Sequence, residues 1–422
     1  MNRRITLTAE NFKITHFLLF FVILYFFCGL WYELPFANPV YSACTFALVA
    51  WVILKIVSNI EKFMTTENVV LYVCIAVWCV LMFLVYNFAV KTKTVSFFGL
   101  RMDQHALIMI YYAILLIPGV VLRDDCRVKI GKLFKFLLAF IIISSLAFTL
   151  YAVAVYPDAL RARATAEQLG YEDIMFGLPT YSMIYSMALF FPWLLMKARR
   201  SSGFEKLFYL GLGACLVVTV AFSQFATALI ALIVGFVVYF VVVSRNKPLR
   251  SILLVAVVIA FFAVGMETWG DMLIDLADDM EGSWADKLAE IGEFLKGNEA
   301  TGDLETRFDY YKDSFNSFLK SPIAGMLSVG KTEIGGHATL VDMLALVGIF
   351  GTVPFIIIVG MTIKKLRKMS NDLSCTAAVW GTITIFIIFL VMKNIISAIS
   401  ISYSFFVLIP ILFGSEVENE HN

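Results

Sequence analysis

Few side chains in this sequence are equipped for chemistry, and the most suggestive is a histidine. Four histidines occur in 422 residues. His16 and His421 lie near the termini, and His105 stands at the start of an apolar stretch. His337 sits in Gly335-Gly336-His337-Ala338-Thr339-Leu340, where a long polar segment meets an apolar helical pattern. A helix N-terminus carries unpaired amides and a partial positive charge, which disfavours imidazolium. A neutral imidazole at the rim of an aqueous cavity is suited to accept a proton from a hydroxyl. The neighbouring glycines let backbone or substrate approach closely. The plainer alternative is an interfacial histidine with no chemical role. Asp342 is a carboxylate within the apolar pattern, so it is either a functional group or a hydrogen-bonded strut. Five residues correspond to about 140° around a helix, so His337 and Asp342 need not share a face.

Arginines form the second class. Arg161 and Arg163 lie in one polar loop, and Arg307 in another, within Arg307-Phe308-Asp309-Tyr310-Tyr311. Guanidinium binds phosphate oxygens bidentately and stays charged, so it can stabilise a departing diphosphate. Each arginine has a plain alternative as a headgroup contact or a partner for nearby acids. Asp275, Asp278 and Asp279 share a helix face, but no histidine or spaced ligand set accompanies them, so no metal site is expected. No phosphate-cradling glycine loop, dinucleotide fingerprint or His-Glu-x-x-His pair occurs, and no cofactor is expected. The seven cysteines, mostly inside apolar runs, read as small apolar fillers.

The elements that must position these groups are membrane helices. Hydrophobic residues make up 60% of the chain and charged ones 15%, against roughly half and a quarter in ordinary globular proteins. A net charge of +1 carries no basic bias toward nucleic acid. A soluble enzyme, a nucleic-acid module and a disordered scaffold are excluded. An all-α polytopic membrane protein is expected, a single integral domain over 1–422 with about twelve spans. Their approximate limits are 14–34, 39–58, 68–90, 104–122, 133–156, 179–197, 206–222, 225–243, 251–267, 338–362, 376–392 and 395–414. The first run lacks a small-residue cleavage site and reads as a retained helix.

Loop charge sets the expected orientation. With the N-terminus inside, 21 of the 33 Lys and Arg fall in inner segments, so both termini are expected to be cytoplasmic. The long outer segment, 267–337, lies between spans nine and ten and carries 15 carboxylates against six basic residues. Within it Trp284, Leu288, Ile291 and Leu295, and then Phe308, Tyr311, Phe315, Phe318 and Leu319, recur at helical spacing. Two amphipathic helices on the outer face are expected. Gly348, Gly351 and Pro354 interrupt the tenth span and read as packing and kink positions.

This arrangement resembles the bacterial O-antigen ligase and O-antigen polymerase superfamily. The family ligase pattern is a His, then Asn, Ser or Gln, then nine residues and Gly-x-x-Gly. Here His337 is followed by Ala338, residues 339 to 347, and Gly348-Ile349-Phe350-Gly351. The spacing agrees and Ala338 departs from it. Arg307, Pro322 and Gly325 resemble the family's helix-start arginine and the turn that follows. Many members carry Ser-Arg at the turn between the seventh and eighth spans, whereas this chain has Ser223-Gln224-Phe225.

The resemblance implies a polysaccharide repeat-unit polymerase in the bacterial cytoplasmic membrane. It would move glycan from undecaprenyl diphosphate to an acceptor sugar hydroxyl on the outer face, with inversion and without metal. It casts His337 as proton acceptor or acceptor-orienting group and Arg307 as diphosphate ligand. Arg161, Arg163, Gln224 and Asp342 become candidates for diphosphate or acceptor binding. Partners would be the lipid-linked glycan, an acceptor glycan or lipid A-core, membrane lipid and other polysaccharide-assembly proteins. A ligase acting on lipid A-core is the first alternative. A lipid-linked oligosaccharide flippase or other transporter is the second, though related halves and midplane helix breaks are not visible in the sequence.

Overall fold

The computed structural model describes residues 9–89, 94–97, 100–124, 132–156, 159–160, 176–245, 256, 265–280, 283–298, 302–329, 334–396 and 398–419. Eight helices among them are long and apolar enough to cross a membrane: Ala37–Ser58, Thr66–Ala89, Gln104–Leu122, Lys135–Val155, Gly203–Phe222, Ala226–Ser244, Thr339–Lys368 and Leu373–Met392. Two shorter apolar helices, Phe17–Phe27 and Ile399–Gly414, fall within the first and last expected spans without reaching the length of the eight. The ninth expected span falls almost wholly outside the described residues.

Span six is not one helix: Tyr181–Ala188 and Phe191–Arg200 are separated by a turn at Leu189 and Phe190. Pro192 opens the second piece, where its missing N–H costs nothing, and it disfavours helix just before it. The Thr382 hydroxyl donates to the Leu189 carbonyl at this break (3.3 Å). The chain is also not wholly helical. Thr94–Phe97 and Leu100–Asp103 form a two-stranded antiparallel hairpin, with Thr94 opposite Asp103. Thr-Val-Ser-Phe is β-branched and aromatic, and too short and polar to extend either flanking span.

Lipid supplies no hydrophobic drive between helices, so close packing decides the bundle. Helix Ala226–Ser244 meets Leu373–Met392 through Gly235 and Gly381; a Cβ on Gly381 would lie 3.0 Å from the Gly235 carbonyl. Aromatic side chains fill the centre. Trp78 packs on Tyr112 and Phe355, and Phe386 stacks on Phe405 with centroids 3.6 Å apart. At one end of the bundle ion pairs tie neighbouring helices, Arg200 to Asp372 (2.9 Å) and Lys364 to Glu67 (2.9 Å). The polar segment between residues 265 and 338 gathers at the opposite end, called the site end below. Among the described residues it holds three longer helices rather than the two expected, Met266–Asp278, Ser283–Leu295 and Gly302–Lys320, and the single turn Met326–Val329. The third of the longer helices begins at Gly302, so Arg307 lies in its second turn and not at its start.

The glycines of the tenth span do more than permit packing. Gly348 leaves the helical region (φ 64°, ψ −168°), which breaks Thr339–Lys368 about a third of the way along. The freed amides of Ile349 and Phe350 donate to the carbonyls of Pro322 (2.8 Å) and Ile323 (3.1 Å). A second segment thus plugs the break, as irregular backbone inside a membrane requires. Gly325, also at positive φ (58°), lies so close that a Cβ there would meet the Leu346 carbonyl carbon at 2.5 Å.

A Cβ on Gly348 would sit 2.2 Å from the Ile323 carbonyl oxygen, besides straining the backbone. Gly348→Ala should therefore destabilise the protein by roughly 2 kcal/mol or more. Gly360→Ala, where nothing lies within 4 Å, should not. Thermal unfolding of both variants in lipid nanodiscs checks this, and equal midpoints would refute the plug.

Candidate active site

The helix Thr339–Lys368 starts without a conventional cap. Its N-cap residue is Ala338, which has no side-chain oxygen to hold an orphan amide. Asp342 supplies what Ala338 lacks. Its Oδ2 accepts the Ala338 amide (3.0 Å), and its Oδ1 accepts the Ser314 hydroxyl (2.6 Å). Ser314 in turn accepts the Gly335 amide (3.0 Å). Asp342 and Ser314 are both deeply buried, at 3% and 0% exposed. Together they clip the stretch 335–338 between two helices. Burial of a carboxylate is tolerable here because it receives these donors. His337 lies before the helix, so the 140° offset estimated from helical geometry does not apply to it.

A second set of bonds joins this stretch to the end of Leu373–Met392. The Lys393 carbonyl accepts both the amide (3.0 Å) and the hydroxyl (2.6 Å) of Thr339. The Thr339 oxygen accepts the Ile395 amide (2.7 Å), and Asn394 Nδ2 donates to the Gly336 carbonyl (3.2 Å). His337 is therefore flanked on both sides by residues in one hydrogen-bonded knot. Its imidazole is exposed and stacks on Tyr310, with centroids 4.6 Å apart and planes 15° off parallel.

Helix Gly302–Lys320 turns one face to this knot. Arg307, Tyr310, Tyr311 and Ser314 recur at spacings of three and four, which aligns them. A Cβ on Gly335 would lie 2.4 Å from the Tyr310 carbonyl oxygen, so the absence of one allows the close approach. Arg307 is four residues before Tyr311 on this helix, so its charge acts on the Tyr311 phenol. Burial pushes the Tyr311 phenol above its usual range, with Asp342 adding and Arg307 opposing. Tyr311 is thus a neutral hydrogen-bond donor at physiological pH.

Lys393, a residue the sequence reading overlooked, is 5% exposed. Its Nζ lies 5.3 Å from the ring centroids of both Tyr181 and Tyr185. Phe225 closes on Tyr181 (5.1 Å), and Phe389 on Tyr185 (5.0 Å). Taking an ammonium out of water costs several kcal/mol, which the two aromatic faces partly offset. The available signal was a Lys393-Asn394 pair between two apolar runs, with tyrosines four residues apart elsewhere.

Gln224 is buried and adopts positive φ (58°), a conformation uncommon for residues other than glycine. Its carbonyl accepts Lys287 Nζ from helix Ser283–Leu295, so the polar segment docks on this turn. The structure therefore brings His337, Arg307, Asp342 and Gln224 to the same end. Arg161 and Arg163 lie outside the described residues. His105 stacks on Tyr86 (5.0 Å), its amide donating to buried Asp103 (2.8 Å), beside a π-helical turn at Val85–Ala89. Among the described residues no group of three His, Cys, Asp or Glu is placed to hold a metal ion.

Asp342→Ala would strand the Ser314 hydroxyl and the Ala338 amide, at about 1–3 kcal/mol for each buried group left unsatisfied. Hydrogen exchange at residues 335–338 should accelerate, while exchange in Ala226–Ser244 stays as in the parent. Unchanged protection at 335–338 would show that the clip does not hold the stretch.

The family model described as O-Antigen ligase matches residues 211–356, about a third of the chain. That region contains the turn at Gln224, the polar segment, Arg307, His337 and the break at Gly348. No curated protein matches the chain. Over residues 211–356 the chain is therefore similar to the O-antigen ligase family, and the helices around that region are those of a multi-pass membrane protein.

Proposed function

We propose that the protein is a polysaccharide repeat-unit polymerase. It transfers glycan from undecaprenyl diphosphate to an acceptor sugar hydroxyl at the outer face of the bacterial cytoplasmic membrane, with both termini cytoplasmic. The observation that carries this reading is the juxtaposition at the site end. An exposed imidazole held by a hydrogen-bonded knot stacks on Tyr310, which lies one helical turn along from Arg307.

The reaction needs a hydroxyl made more nucleophilic and a leaving group that carries growing negative charge. The acceptor oxygen attacks the anomeric carbon from the face opposite the diphosphate. The new C–O bond forms as the old one breaks, and its electron pair departs on the diphosphate. His337 accepts the hydroxyl proton or orients the acceptor, with its ring fixed by Tyr310. Arg307 neutralises the charge on the leaving oxygens. Tyr311, as a neutral donor, and the fixed backbone around Gly335 and Gly336 line the acceptor side. Asp342 sets the position of the His337 stretch through Ala338 and Ser314. Arg161, Arg163 and Gln224 belong to the donor side in this scheme.

A ligase is the second reading, favoured by the description of the matching family. The two differ in the acceptor, another lipid-linked glycan or a lipid A-core sugar. A lipid-linked oligosaccharide flippase would translocate its cargo without chemistry.

Purified protein given lipid-linked repeat should release undecaprenyl diphosphate and build longer glycan. His337→Ala should lower that rate on the order of 10²–10⁴-fold. Arg307→Ala should lower it roughly 10²-fold or more. Glycan transfer to lipid A-core alone would select the ligase reading. A full rate in His337→Ala would remove the proton-transfer role, and no diphosphate release by wild type would favour transport.

A further inference from the structure

The Lys393 ammonium has no part in the scheme above, yet it is deeply buried at the site end. Its backbone carbonyl takes both hydrogen bonds from Thr339, two residues beyond His337. Its neighbour Asn394 holds the Gly336 carbonyl, one residue before His337. The stem of Lys393 and the histidine are therefore fixed relative to each other by the same knot. Its Nζ meets Tyr181 and Tyr185 at 5.3 Å each. Arg307 stands one helical turn before Tyr310, whose ring stacks on His337, so the same histidine stretch ties both cations to one end of the bundle.

Two cations gathered around one histidine stretch repel each other, and a multiply charged anion lying between them relieves that repulsion. A diphosphate has the charge and the length to engage both at once, whereas a monophosphate engages one fully. The aromatic faces of Tyr181 and Tyr185 hold the ammonium in place while the site is empty, so little reorganisation accompanies binding. We propose that Lys393 is a second phosphate-binding cation of the donor site, gripping with Arg307 the two phosphates of a lipid diphosphate. This rests on the glycosyl-transfer reading and adds a residue to it. It also sets the direction in which the donor lies. The diphosphate sits beside the 393–395 stretch, and the sugar to be transferred points toward His337.

The test uses the full chain in detergent, with farnesyl diphosphate and farnesyl monophosphate as probes and Kd as the readout. Wild type is expected to prefer the diphosphate. Lys393→Met should weaken diphosphate binding on the order of tenfold to a hundredfold and bring the two probes close to equal affinity. Lys393→Gln, which keeps a polar head but no charge, should behave alike if the Met variant fails to fold. Lys393→Arg should stay within about threefold of wild type with the preference kept. Lys364→Met, at the opposite end, should change neither affinity. Equal weakening of both probes would mark Lys393 as structural and overturn the proposal. Diphosphate binding unchanged in Lys393→Met or Lys393→Gln would overturn it too, with the transfer reading intact. No diphosphate binding by wild type would overturn both.

Discussion

Two hydrogen bonds from Thr339 to the Lys393 carbonyl join the start of one long span to the end of another, and the site is assembled around that junction. Inside a membrane bundle each helix end exposes amides or carbonyls that water reaches poorly, so neighbouring ends must satisfy each other. Here the carbonyl of Lys393, the residue just past Leu373–Met392, meets the first donors of Thr339–Lys368. The histidine, the buried lysine and the clip formed by Asp342 and Ser314 all attach within a few residues of this point. Positions of these groups are consequently a matter of backbone bonding, not of loop flexibility.

The same economy shapes the polar segment. Gly302–Lys320 presents Arg307, Tyr310, Tyr311 and Ser314 on one face, so one helix supplies a cation, a stacking surface, a donor and a structural hydroxyl. Beyond its end, the turn at Pro322 to Gly325 enters the break at Gly348. One continuous stretch thus contributes both to the site and to the bundle beneath it. Lys287 on the Gln224 carbonyl adds a separate fastening from the preceding helix. These contacts fasten the described helices of the long segment to the spans beneath them.

The spacing of apolar runs made the helical class and most spans legible, because a membrane span is a local property of some twenty residues. His337 and Arg307 stood out because ionisable residues at span ends are scarce in so apolar a chain. Long-range pairing was not legible. Gly348 read as a packing residue, since nothing near it in sequence announces that Pro322 and Ile323 accept its neighbours' amides. Lys393 resembled any lysine flanking a span, and only the arrival of Tyr181 and Tyr185 makes it distinctive. Asp342 is legible as a carboxylate in an apolar run, but its relation to His337 is not, because His337 lies outside the helix that Asp342 helps to start. The hairpin at 94–103 and the split of span six were missed because short β-branched and proline signals were outweighed by the apolar stretches around them.

The central claim is that the site end binds a lipid diphosphate between the Arg307 wall and the Lys393 stretch, with the transferred sugar facing His337. Cryo-electron microscopy of the protein bound to a non-hydrolysable undecaprenyl diphosphate glycan tests this most directly. The account predicts phosphate density within hydrogen-bond distance of Arg307 and Lys393, the first sugar lying toward the His337–Tyr310 stack. Diphosphate bound at the opposite end of the bundle, or at the site end with the sugar turned away from His337, would contradict it.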